Sequence, residues 1–133
     1  MSGATPGQRG LLLFAHGARD VRWAEPFEAV VRRVRALDPG LETRLAFLEF
    51  MPPTLGEAGT GLAAAGCTRV DVVPLFLGAG GHVRKDLPEL LGALRAAHPS
   101  VRWQLRPAIG EIESVVSAMA DAALALTSDK APE

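Results

Sequence analysis

A fourfold alternation of short apolar runs with stretches of helical periodicity restricts this chain to very few folds. The first run, about 10–15, reads Gly10-Leu11-Leu12-Leu13-Phe14-Ala15 and is apolar on both faces, as a central parallel strand requires. The stretch 23–37 then places Phe27, Val30, Val31, Val34 and Leu37 on one helical face, with Glu28, Arg32, Arg33 and Arg35 opposite. Pro26 fits only the first turn of that helix, and Asp38-Pro39-Gly40 stops it. A second strand, about 41–48, alternates Leu41, Thr43, Leu45 and Phe47 with Glu42 and Arg44, a pattern suited to a position nearer an edge. Thr54-Leu55-Gly56-Glu57 has capping-box spacing and opens a second helix, weakened by Gly56, Gly59 and Gly61 and ended by Gly66.

A third strand is expected at 70–77. The third helix is expected to be capped by Asp86-Leu87-Pro88-Glu89, with Leu87, Leu90, Leu91 and Leu94 on its apolar face. A fourth strand follows at 101–106, and a fourth helix carries Ile112, Val115, Val116, Met119 and Ala123. Four βα units in this order imply an α/β domain: a four-stranded parallel sheet with helices on both faces, joined by right-handed crossovers.

At 133 residues this is one domain, expected to span 10–126 between a flexible segment 1–9 and a frayed tail 127–133. Net charge is −1 with no long basic or acidic block, which argues against nucleic-acid binding and against an electrostatic membrane patch. No apolar stretch approaches the ~20 residues of a membrane span, and 1–9 carries no apolar segment of the kind that precedes a signal cleavage site. A cytoplasmic protein is the expectation. Cys67, the only cysteine, cannot form an intramolecular disulfide and is expected as a packed thiol in a helix-to-strand turn.

In a parallel sheet all strands end on one rim, where ligands bind. Here His16, Glu49, His82 and the 107–110 loop follow the four strands in turn, so two of the chain's three histidines and a carboxylate meet on one face. Two imidazoles and a carboxylate suit Co2+, Ni2+, Fe2+ or Zn2+ and leave coordination positions open, as a transient catalytic metal needs. Arg19 and Arg22 flank His16, while Arg84 and Lys85 flank His82. Four cations beside such a site in a near-neutral chain point to an anionic substrate, a polycarboxylate. Each residue also has an ordinary structural reading: a turn cap for His16, a loop carboxylate for Glu49, solvated surface charge for the cations. His98 falls where a cation suits a helix C-terminus and is read as structural. The glycines of Gly78-Ala79-Gly80-Gly81 lack the Gly-Lys-Ser/Thr ending of a phosphate loop, and no Gly-x-Gly-x-x-Gly opens the first helix, so nucleotide use is not supported.

Phe14-Ala15-His16-Gly17-Ala18-Arg19-Asp20, Ala46-Phe47-Leu48-Glu49 and the run from Val73-Pro74-Leu75-Phe76-Leu77 to His82, followed by Asp86-Leu87-Pro88, resemble the class II tetrapyrrole chelatases. The nearest group is the short, single-domain sirohydrochlorin chelatases, and the resemblance runs from about Leu11 to Leu126. It implies a chelatase-like α/β fold and ATP-independent insertion of a divalent metal into sirohydrochlorin, cobalt first, with iron or nickel as alternatives, on the branch toward cobalamin or sirohaem.

By the same resemblance His16 and His82 bind the incoming metal, and Glu49 completes the site or accepts a proton. Arg19, Arg22, Arg84 and Lys85 engage the substrate's carboxylates, with Gly80 and Gly81 beside the macrocycle. The metal is substrate, and no nucleotide is needed. Larger class II chelatases enclose their flat substrate between two such domains, so a chain of this length is expected to pair with itself as a homodimer. One departure is Ala18, where the family usually has serine. It keeps open a second reading, a non-catalytic metal or tetrapyrrole carrier. A histidine phosphotransfer reading of Ala15-His16-Gly17 wants arginine before the histidine and finds Ala15.

Overall fold

β-Branched and leucine-rich runs form four strands, all parallel, in the order β2-β1-β3-β4: β1 is Gln8–Ala15, β2 Glu42–Phe47, β3 Cys67–Pro74 and β4 Arg102–Leu105. This is a computed structural model describing residues 7–78 and 80–127, with His82 described in its backbone only. The helices are α1, Glu25–Leu37; α2, Leu55–Ala64; α3, Gly81–Ala97; and α4, Glu113–Ala125, with short 3-10 turns at Val21–Ala24 and Ile109–Glu111. The expected α/β class, the parallel sheet and helices on both faces are all present.

Leu13 on β1 lies between Leu45 on β2 and Val73 on β3, and Val70 on β3 lies beside Trp103 on β4. Period-2 alternation divides these residues between two faces. Leu12, Phe14, Val70, Val72 and Trp103 point to the face covered by α2 and α3, where they bury against Leu62, Leu91 and Leu94. Leu11, Leu13 and Val73 point to the other face, where they line a groove with Phe27, Val30 and Val34 of α1.

The local signals for α1 and α2 act as expected. Pro26 sits at the start of α1, and Thr54 and Glu57 close a reciprocal capping box on α2, at 2.8 and 3.1 Å. Gly66 takes φ 89°, a left-handed conformation that suits glycine, just beyond the end of α2.

Several expectations are corrected. β1 begins at Gln8, two residues inside the segment assigned to a flexible start; residues 1–6 and 128–133 lie outside those described. Val21–Ala24 forms a 3-10 turn ahead of α1, because Asp20 accepts a hydrogen bond from the Arg22 backbone N–H and caps that turn instead. β3 begins at Cys67 rather than at residue 70, so the thiol is the first buried residue of a strand. Burial raises its pKa, with Glu42 adding to the rise and Arg44 opposing it. α3 begins at Gly81, five residues before the expected Asp86 cap. His82 is therefore in the first helical turn rather than in a glycine loop. Pro88 consequently lies inside α3. No residue of α4 is buried, although its apolar stripe was read as a packed face. No helix among the described residues is long and apolar enough to cross a membrane.

Candidate metal and substrate site at the strand rim

Hydrogen bonds beyond the strand ends hold the rim together. The Leu75 N–H donates to the Phe14 carbonyl at 2.7 Å, and the Leu48 N–H to the Ala15 carbonyl at 2.8 Å. The chains leaving β1, β2 and β3 thus stay side by side past the sheet. The Gly110 N–H donates to the Phe76 carbonyl at 2.9 Å and ties the segment after β4 to the segment after β3.

His16 is the first residue past β1 and Glu49 the second past β2. The ring Nδ1 of His16 lies 3.5 Å from Glu49 Oε1, with both side chains partly open to solvent. Glu49 Oε2 accepts the Gly17 backbone N–H at 3.1 Å. That approach demands glycine: a Cβ at position 17 would stand 1.7 Å from the Glu49 carbonyl oxygen. The His-Gly pair is therefore one device, in which Gly17 lets the β2 loop close down and its carboxylate reach the imidazole.

Two aromatic residues fix the histidine from other directions. Phe76, buried after β3, stacks on the His16 ring with centroids 4.4 Å apart and planes 31° apart. The Trp23 indole N–H donates to the His16 carbonyl at 2.6 Å. Neither was singled out as functional in the sequence. Phe76 is inside the Pro-Leu-Phe-Leu motif but reads as strand core, and Trp23 reads as the start of a helix.

The candidate cations separate. Arg22 is tied to Asp20 by a bond of 2.8 Å from its Nη2 and one of 3.2 Å from its Nε, and these hydrogen bonds lower the Asp20 pKa and raise that of Arg22. The Arg19 guanidinium lies over the Phe50 ring at 5.2 Å. Arg84, on the first turns of α3, lines a cavity of about 350 Å³ with Phe76, Leu87, Arg106, Pro107 and Glu111. Lys85 is exposed on α3. Open space surrounds Gly80 and Gly81, where an added Cβ would meet nothing within 4 Å. His98 caps the C-terminal end of α3, its Nε2 3.0 Å from Thr60 Oγ1 and its ring 6.1 Å from that of Trp103, the structural role expected of it.

The described residues thus bring together His16 and Glu49 of the expected ligand set. His82 follows on the adjacent β3–α3 connection, with its side chain outside the described residues. Among the described residues no group of three His, Cys, Asp or Glu side chains gathers around one point.

Residues 10–125 match the family model CbiX. A sirohydrochlorin cobaltochelatase of Methanosarcina barkeri is 33% identical over 82 residues, a match covering 62% of this chain and 63% of that protein. The match therefore spans less than two thirds of that relative's length. The crystal structure of a CbiX protein from Marinobacter aquaeolei VT8 superposes with a TM-score of 0.79 at 31% identity, covering 90% of this chain and 97% of that one. SirB from Bacillus subtilis, solved with Fe3+, gives a TM-score of 0.75 at 28% identity; the match covers 86% of this chain but 46% of SirB. With the strand-end histidine, its carboxylate and the whole βα frame in place, this chain belongs to the CbiX family.

Proposed function

We propose that this chain inserts a divalent metal into sirohydrochlorin without ATP, with cobalt as the ion and iron or nickel as alternatives. The observation carrying this reading is the His16–Glu49 pair at the open rim, with Nδ1 and Oε1 3.5 Å apart, in a chain of the CbiX family. The names of its relatives point the same way: one is a cobaltochelatase, and another was solved with Fe3+. The proposed setting is the cytoplasm.

Insertion must strip water from a hydrated ion and remove two pyrrole N–H protons as four nitrogens close on the metal. In this reading His16 and His82 hold the ion as it loses water. With Glu49 facing Nδ1, Nε2 is the His16 nitrogen left for the metal. Glu49 steadies the ring and, beside it, accepts a proton from the macrocycle. Arg84, Lys85 and Arg19 receive the substrate's carboxylates, and the open space at Gly80 and Gly81 admits the flat ring. The Phe76 ring closes one side of His16. The proposed active unit is a homodimer. SirB, matched over 46% of its length, is about twice as long as the matched region and has room for two such units in one chain.

Anaerobic incubation with sirohydrochlorin and Co2+, Fe2+ or Ni2+ separately, followed by absorbance, tests the reading. A chelatase accelerates insertion over the protein-free control for at least one ion. A carrier, the reading that Ala18 keeps open, binds metal or tetrapyrrole without acceleration.

A further inference from the structure

The two faces of the sheet are not equally covered. One is closed by α2 and α3. The other has α1 over β2 and then an open groove of about 450 Å³, lined by Leu11, Leu13, Val30, Val73, Leu75 and Ile109 with almost no polar surface. Next to it, over β3 and β4, Asp71 has a carboxylate oxygen that is buried without a hydrogen-bond partner. Parallel sheets are covered on both faces, because exposed strands of this apolarity are unstable in water.

The chain also carries a helix with no surface to lie on. α4 leaves the rim at Ile112, packs appreciably only against the preceding 3-10 turn, and has no buried residue. Yet Ile112, Val116 and Met119 repeat at helical spacing, each about 40% exposed, with Leu124 at 69%. Its thirteen residues make about 20 Å of helix, enough to run the length of the strands it would cover. Charge agrees as well: the only charged side chains of α4 are Glu113 and Asp121, while Arg69 and Arg106 border the uncovered strands.

We infer that α4 is an exchanged arm, lying on the open β1–β3 face of a second copy of this chain while that copy's α4 lies on this one. Each half of the interface is missing its complement within one chain, and a two-fold pairing supplies both at once. The inference deepens the homodimer reading given above and is independent of the chelation chemistry. Exchange also explains why α4 is alanine-rich: Ala118, Ala120, Ala122 and Ala123 let a helix approach a sheet closely.

The test measures mass in solution by sedimentation or light scattering, whatever the activity. Wild type is expected at twice 14.0 kDa. Met119→Glu on α4 and Val30→Arg in the groove change exposed helical positions that the fold of one chain does not need. Each is expected to weaken the dimer at least about tenfold while leaving the circular dichroism spectrum unchanged. Mixing the two variants should restore a dimer, because one of the two exchange sites then pairs the introduced carboxylate with the introduced guanidinium and the other is unaltered. A monomeric wild type overturns both the pairing and the exchange. A wild-type dimer whose two variants stay dimeric overturns the exchange alone. Variants that dissociate but stay monomeric on mixing also overturn it, since an α4 folded onto its own sheet gains nothing from a second chain.

Discussion

The carboxylate of Glu49 joins two consecutive residues of the β1 loop: Oε1 lies 3.5 Å from His16 Nδ1, and Oε2 accepts the Gly17 N–H at 3.1 Å. One side chain therefore sets both where the loop lies and which way the imidazole turns. A carboxylate behind one ring nitrogen is the arrangement that orients a histidine for metal at the other. The contact at 3.5 Å is electrostatic rather than a short hydrogen bond, which leaves the ring freedom to tighten when an ion arrives.

The two roles of Glu49 separate by substitution. Glu49→Gln keeps an acceptor for Gly17 but removes the charge behind His16. It should leave the melting temperature nearly unchanged while insertion slows about 10–100-fold, the usual cost of losing an orienting partner. Glu49→Ala should slow insertion comparably and also lose about 1 kcal/mol of stability with the Gly17 bond. Calorimetry beside the insertion assay distinguishes them, and equal stability in the two variants would deny the loop-tying role.

Gly17→Ala should be damaging although it adds one methyl group. The Cβ would overlap the Glu49 carbonyl, so the loops after β1 and β2 must separate. A loss of about 1–3 kcal/mol in urea unfolding is expected, as for overpacked sites, with an activity loss greater than that of Glu49→Ala. Wild-type stability would mean the β2 loop yields freely and the two loops are not coupled.

The arginines should not contribute equally to substrate binding. Arg22 already holds Asp20, whereas Arg84 lines a cavity at the rim. Arg84→Ala is expected to raise KM for sirohydrochlorin about tenfold, the scale of one charge-assisted hydrogen bond, and Arg22→Ala to raise it less than about twofold. Steady-state kinetics at fixed metal measures both. The reverse order would place the substrate's carboxylates on the β1 side of the rim.

Much of this architecture is legible in the residues because parallel βα units leave strong signals. The both-face apolarity of Leu11 to Ala15, the capping box at Thr54 and the placement of Pro26 each rest on local physics that the tertiary structure does not override. The start of α3 was not legible, because Asp86-Leu87-Pro88 imitates a cap and proline normally marks a first turn; here the helix accepts Pro88 in its interior and begins at Gly81. The His16–Glu49 juxtaposition follows from topology alone, since both residues end neighbouring parallel strands. The Phe76 stack and the Trp23 bond depend on the course of loops, for which sequence carries no period. α4 was misread because an apolar stripe states that a face is to be covered and is silent on which chain covers it.

The central claim, that His16 and His82 together deliver the metal, is tested most directly by anaerobic insertion of Co2+ into sirohydrochlorin at subsaturating metal. The measurement compares wild type, His16→Ala, His82→Ala and His98→Ala, each checked for fold by circular dichroism. The account predicts that each of the first two variants loses at least about tenfold in rate, while His98→Ala, altered at the opposite end of α3, turns over within about twofold of wild type. Near-wild-type insertion by a folded His16→Ala or His82→Ala protein would contradict it.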